Sequence, residues 1–345
     1  MKLKKYRKYV VFAIVALCIL IGFDFPLSAY IEGPGDATNL KPIVNIKGHP
    51  DRYSGKFMLM SVNISRATPF RYLYAKMLPY YSIESPNDVT GGTNNNDFNR
   101  VQSFYMKSAI NEAIYTGYKN AHQQVTNYYR GIYVINVLNN SKFKHHLNIG
   151  DTILKVNGHH FSSALGYQNY IERHQIGTKI AITYLHHGRV QTVSEPLTKL
   201  YGKKAGIGIE LTDDVDTHTK IPIKVDPGQI GGPSGGLMFS LQIYGQLTGK
   251  NIRRNQNIAG TGTINADGQV GEIGGIDKKI IAAKRKNAKI FLSPYIKPTR
   301  SDLSEEPGHI TNYQLAVKTA KKYAPKMKVI PVQTFQEALS AIKKY

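Results

Sequence analysis

Tyr9 to Phe23 is an uninterrupted run of uncharged, mostly aliphatic residues. That run of 15 is short for a bilayer-crossing helix, which takes about 20 residues, but extended past Asp24 through Phe25-Pro26-Leu27 it is long enough. Beyond it the pattern turns strand-like, first at Ile43-Val44 and then from Phe57 to Ile64. In the second run Met58, Met60, Val62 and Ile64 fall at every other position, which predicts a half-buried strand. A helical patch covers Pro69 to Leu78, and Ser85 to Asn99, with Gly91-Gly92 and Asn94-Asn95-Asn96, reads as an exposed loop. Met106, Ala109, Ile110, Ala113 and Ile114 recur at helical spacing and predict an amphipathic helix over about 101–124.

From about residue 129 to 197 the period shortens to that of strands. Gly131 to Val137 and Leu147 to Gly158 are strand-like, and Asn157-Gly158 is a tight-turn pair. A helix at about 163–174 precedes strands at 178–185 and 189–194. This order, with Leu-x-x-Gly-Asp-x-Ile-x-x-Val-Asn-Gly from Leu147 to Gly158, resembles a PDZ domain of the bacterial type. The resemblance implies a module that binds peptide ends by strand addition; a PDZ that only packs on its neighbour is the simpler alternative. Farther on, Gly231 to Gly236 opens a helix through about Leu247, with Leu237, Leu241, Tyr244 and Leu247 on one face. Thr261 to Ile264 and Gln269-Val270 flank an Asp267-Gly268 turn. A second helix follows Gly274-Gly275, then a strand at 290–292, a helix, a strand at 328–332, and a helix whose Thr334-Phe335-Gln336-Glu337 forms a capping box.

Charge narrows the setting. The 345 residues carry 45 basic and 23 acidic side chains, a net charge of +22, which suits anionic surroundings. Lys2, Lys4, Lys5, Arg7 and Lys8 precede the apolar run, so the N-terminus stays inside and the rest faces outward. Leu27-Ser28-Ala29 offers a signal-cleavage alternative, but the heavily charged start favours an anchor. An external location makes wall polymer or lipid head groups, rather than nucleic acid, the expected anionic partners. The lone Cys18 excludes intramolecular disulfides and cysteine zinc sites, and Leu17 before it disfavours lipidation. No metal or other cofactor is expected.

The candidate chemistry lies in the C-terminal part. Ser234, after Pro233 and between glycines, stands where a helix start exposes backbone N–H groups able to hold an oxyanion. Taken alone, it is equally an N-cap in a glycine-rich turn. The pairs His145-His146, His159-His160 and His186-His187 lie in turns and read as solvated, so no Ser-His-Asp set presents itself. Ile276, Ile280 and Ala283 mark an apolar stripe that contains Lys279, whereas Asp277, Lys278, Lys284, Arg285 and Lys286 fall mainly outside it. A lysine buried there loses charge; lowering its pKa from about 10.4 to about 7 takes roughly 4.6 kcal/mol. Neutral, it could deprotonate a serine, whereas the plain alternative is a snorkelling side chain.

Gly232-Pro233-Ser234-Gly235-Gly236-Leu237, Gly260-Thr261-Gly262-Thr263-Ile264 and Gly268 through Lys279 together resemble the proteolytic domain of Lon proteases. The resemblance implies Ser234 as nucleophile, Lys279 as general base, Thr261 orienting the lysine, and Gly232, Pro233 and Gly235 forming the oxyanion turn. Gly235 replaces the family's alanine, and Gly231 stands where an acidic residue is common. The whole chain resembles Lon-like PDZ serine proteases of Gram-positive cell surfaces, an α+β arrangement. Its expected parts are a basic cytoplasmic tail (1–8), a membrane anchor (9–27), an extracellular strand and helix region packing with the protease (28–128), a PDZ-like domain (129–200) and a Lon-type α/β domain (201–345). No Gly-x-x-x-x-Gly-Lys-Ser/Thr loop occurs. The expected activity is therefore an ATP-independent Ser-Lys endopeptidase acting on secreted peptides or unfolded segments; the oligomeric state is left open, a homo-oligomer being one alternative because Lon domains commonly form rings. The competing expectations are an inert surface module that only binds peptides and, from charge alone, a basic wall- or lipid-binding protein.

Overall fold

The computed structural model describes residues 2–200, 202, 204–298 and 310–344. Helix α1 (Lys2–Asp24) leads into strand β1 (Tyr30–Asn39), the short β2 (Val44–Ile46) and β3 (Lys56–Arg66); α2 (Pro69–Met77), β4 (Ser82–Glu84), α3 (Pro86–Thr90) and α4 (Asn95–Asn120) follow. The expected exposed loop at 85–99 is thus largely helical. The Ser85 hydroxyl accepts the Asp88 N–H while the Asp88 carboxylate accepts the Ser85 N–H, which closes a capping box on α3. The Asn94 side chain accepts the N–H groups of Asn96 and Asp97 and starts α4 six residues earlier than the apolar spacing suggests.

The next elements form a separate sheet: β5 (Val125–Val137), β6 (Thr152–Val156), α5 (Ala164–Glu172), β7 (Lys179–His186), β8 (Arg189–Pro196), the short β9 (Thr198–Lys199) and β10 (Ala205–Gly206), and β11 (Ile209–Thr219). Strand order is β11-β5-β6-β7-β8. Because β11 pairs along the whole of β5, this sheet runs from Val125 to Thr219 rather than over the expected 129–200. The Asn157-Gly158 turn has φ of 47° and 77°, as a tight hairpin requires.

The remaining chain returns to the N-terminal elements: β12 (Ile223–Val225) pairs with β2 in a two-stranded ladder, and α6 (Gly236–Thr248), β13 (Asn257–Gly260), β14 (Thr263–Ile264), β15 (Val270–Gly271), α7 (Ile276–Arg285), β16 (Ile290–Pro294), α8 (Asn312–Tyr323), β17 (Lys328–Val332) and α9 (Phe335–Lys344) follow, β14 and β15 forming a second such ladder. The main sheet has order β17-β16-β13-β3-β1-β4, parallel from β17 to β3 and antiparallel beyond. Phe57 and Leu59 point into a core shared with α4, α6 and α9, whereas Met58 and Met60 point into one shared with α7 and α8. The first half of β3 is therefore buried on both faces, as a strand with helices above and below must be, and not half-buried as its alternation suggested. Nor does α6 have the single apolar face expected; it is buried from Gly236 to Ile243 because α4 covers the side that the sheet does not.

Candidate functional site

Ser234 sits in the turn just before α6, with Gly235 as the N-cap residue, so Pro233 precedes the helix rather than occupying its first turn. Two bonds hold that turn: the Ser234 carbonyl accepts the Gly262 N–H at 2.9 Å and the Thr261 hydroxyl at 3.0 Å. Thr261 is itself fixed, since its N–H donates to Leu292 O at 3.1 Å and its side chain is fully buried. Gly236 is needed here; a Cβ would stand 2.8 Å from the Ile264 nitrogen. On the other flank the Gly232 N–H, at φ 88°, donates to Gln102 O of α4 at 2.9 Å. The N–H groups of Ser234 and Gly235 have no protein acceptor among the described residues.

Lys279 enters from the first turn of α7. Its Nζ lies 2.9 Å from Ser234 Oγ and 3.2 Å from Thr261 Oγ1. Only 3% of the residue is exposed, and burial lowers its pKa from 10.5 to about 7 against the opposing pull of the Glu32 carboxylate. A lysine held there is about half neutral at pH 7, with a lone pair beside a serine hydroxyl, the combination that activates a weak nucleophile.

Lys278 departs from the sequence reading. It is 7% exposed rather than solvent-facing, with Nζ 3.6 Å from Glu32 and 3.5 Å from Asp277. The reason is that α7 packs against β1 and β3 on one side and α8 on another, leaving little outer face in its first turns. Both lysines are buried, but only Lys279 reaches the serine. Glu32 and Gln102 escaped sequence reasoning, because each is brought in by strand or helix pairing across long separations and carries no local motif. Of the paired histidines, five are exposed, but His186 is half-buried with Nδ1 2.7 Å from the Asp151 carboxylate.

Ser234 and Lys279 open onto a cleft of about 710 Å³. One wall is Met60, Ser61, Val62 and Ile64 of β3, and the other includes Phe98 and Gln102 of α4 and the 228–231 loop. Beyond Leu59 no described strand pairs with β3 on the β13 side, so this wall is an open strand edge. Among the described residues no three His, Cys, Asp or Glu side chains gather as a metal would need.

Comparison with known proteins matches residues 189–333 to the Lon protease (S16) C-terminal proteolytic domain and residues 122–197 to the PDZ domain. The chain is 32% identical to Lon protease of Flavobacterium johnsoniae over 114 residues, 33% of this chain and 13% of that one. It is 33% identical to Lon protease of Escherichia coli K12 over 108 residues, 31% of this chain and 13% of that one. The chain thus matches about an eighth of the length of these relatives. Among solved structures, the PDZ domain of an SdrC-like protein from Listeria monocytogenes is 29% identical, covering 24% of this chain and 90% of that chain with a TM-score of 0.24.

Proposed function

We propose, for a chain that carries a Lon-type proteolytic domain and a PDZ domain, that it is a membrane-anchored, ATP-independent endopeptidase acting outside the cell on peptides and unfolded protein segments. The observation that carries this reading is the buried Lys279 amine 2.9 Å from Ser234 Oγ. Ser234 Oγ attacks the scissile carbonyl carbon as its proton passes to neutral Lys279. The oxyanion is received by the N–H groups of Ser234 and Gly235. The lysine then protonates the leaving amine, and a water deprotonated by the same lysine releases the acyl group from Ser234. Thr261 keeps the amine on the serine. Gly232 and Pro233 shape the turn through the bond to Gln102.

The open edge of β3 favours an extended substrate, which can add to it as a strand. That geometry suits unfolded chains, and the sequence has no phosphate loop for powered unfolding. The PDZ domain supports capture of peptide substrates. Tyr6–Asp24 is long and apolar enough to cross a membrane, and the basic residues before it favour an inside N-terminus. Digestion of a secreted-peptide pool tests the chemistry: cleavage should vanish in Ser234→Ala and in Lys279→Arg, which keeps a charge that does not leave near neutral pH. Unchanged peptides with the wild type would leave only a peptide-binding module. Protease added to intact cells should degrade residues beyond 28, and protection would reverse the topology.

A further inference from the structure

Helix α2 presents an apolar face to open space. Phe70, Leu73, Tyr74 and Met77 are 41%, 58%, 57% and 80% exposed, and their spacing of three, four and seven places them on one side of the helix. The opposite side is spent on the protein: Ala75 is buried and Tyr72 packs into a small core with Ile31, Ala67 and Ile83. A soluble helix of this kind would carry polar residues outward.

The location of that face identifies what covers it. The Phe70 ring packs edge-on against Phe23 of α1, with centroids 4.9 Å apart, and Gly22 leaves room for it where a Cβ would collide. Leu27 N donates to Ala67 O and Ala67 N donates to Ala29 O, so the exit of α1 is stitched to the entry of α2. Arg66, Arg71 and Lys76 flank the apolar face, and all are exposed. Apolar and aromatic residues continuous with a bilayer-length helix and rimmed by cations make up the pattern of a helix lying in an anionic membrane surface. We propose that α2 is seated in the lipid head-group and upper acyl region, a second membrane contact beside α1. The inference rests on the reading of α1 as a membrane span. It places the cleft near the lipid: Ile64, in the cleft wall, precedes the α2 N-cap Thr68 by four residues, at most roughly 13 Å of extended chain.

The chain has no tryptophan, so single replacements report their own surroundings. The full-length protein is reconstituted into phosphatidylcholine–phosphatidylglycerol vesicles containing brominated acyl chains, as Ile14→Trp, Leu73→Trp or Val190→Trp. All three positions are exposed, so the fold tolerates the change. The Ile14→Trp and Leu73→Trp emissions should both be quenched, the latter best by bromines near the head group, with the Val190→Trp emission untouched. Tyr74→Trp should repeat the Leu73→Trp result. Quenching in Ile14→Trp but in neither α2 variant overturns the proposal and leaves the anchor standing. No quenching in Ile14→Trp overturns the anchor and the proposal with it. Equal quenching in Val190→Trp and Leu73→Trp also overturns it, since contact would then not be specific to α2.

Discussion

The protonation of Lys279 gives the sharpest quantitative expectation. An ordinary lysine near 10.4 is neutral in roughly 0.04% of molecules at pH 7, whereas one at about 7 is neutral in half of them, a gain of roughly a thousandfold in competent base. The shift of about 3.5 units corresponds to roughly 5 kcal/mol against the charged form in the folded state. Between about pH 7 and pH 10 the unfolded chain therefore binds more protons at this site than the native one, so its contribution to stability rises with pH across that window. Below about 7 both states are charged and the whole penalty is felt. The assay is kcat/KM on a fluorogenic peptide from about pH 5 to pH 10 with the full-length protein in detergent. A single ionisation with a midpoint near 7 is expected, with a plateau above about 8.5. Glu32→Gln removes the carboxylate that favours the charged amine and should move the midpoint down. Lys278→Met removes a cation held 3.6 Å from that carboxylate and should move it up. Lys279→Met should be inactive yet more stable near pH 6, by roughly 5 kcal/mol less about 1 kcal/mol for each of two lost hydrogen bonds. A midpoint near 10, or opposite shifts in the Glu32 and Lys278 variants, would refute the reasoning.

Thr261→Val keeps shape but loses the bonds to the Ser234 carbonyl and Lys279; kcat should fall roughly 10–100-fold with KM little changed, for about 1–3 kcal/mol of lost positioning. Asp51 and Arg253 form a buried pair at 2.7 Å that also holds Gln242 of α6. Burial alone would raise the Asp51 pKa, but the Arg253 and Gln242 hydrogen bonds outweigh it and hold the group low. Asp51→Asn should therefore cost about 3–5 kcal/mol in urea unfolding at neutral pH. Because the Asp51 pKa is held low, the wild type should lose stability from this group only as the pH falls below about 3.9. Replacing residues 125–219 by an Asn-Gly turn exploits the existing bond from Lys220 N to Gln124 O. Cleavage of a short generic peptide should survive while that of a long natural substrate drops; equal loss of both would make the PDZ domain structural.

Taken singly, Ser234 and Lys279 each left a structural alternative open; the resemblance to the Lon proteolytic domain paired them, and the apolar stripe on α7 pointed to the lysine whose amine lies 2.9 Å from the serine. The neighbouring lysine was not legible, since helical periodicity assumes one buried face and α7 has two. The same failure recurs at β3, where an alternating pattern hid a strand covered on both sides. The polar stretch at 85–99 misled for a different reason: Ser85, Asp88 and Asn94 are loop-formers by composition but caps by position. Glu32 reaches the lysines only through the pairing of β1 with β3 and the packing of α7 on both, information carried by tertiary contacts.

Strand β3 sits at the centre of the main sheet, yet its parallel partner β13 arrives about 200 residues later. During synthesis the first three strands must wait for most of the chain to follow. The sheet between them, Val125 to Thr219, closes through contacts of its own and leaves Gln124 and Lys220 bonded to each other. Once it has folded, the loop that separates β3 from β13 is shortened from about 200 residues to about 105, easing closure by roughly 0.6 kcal/mol, or nearly threefold in rate. Closure of the inserted sheet therefore brings the two halves of the main sheet nearer along the chain. Substitutions that keep this sheet from closing while leaving its residues in the chain should therefore slow formation of the main sheet, whereas deleting it outright should not.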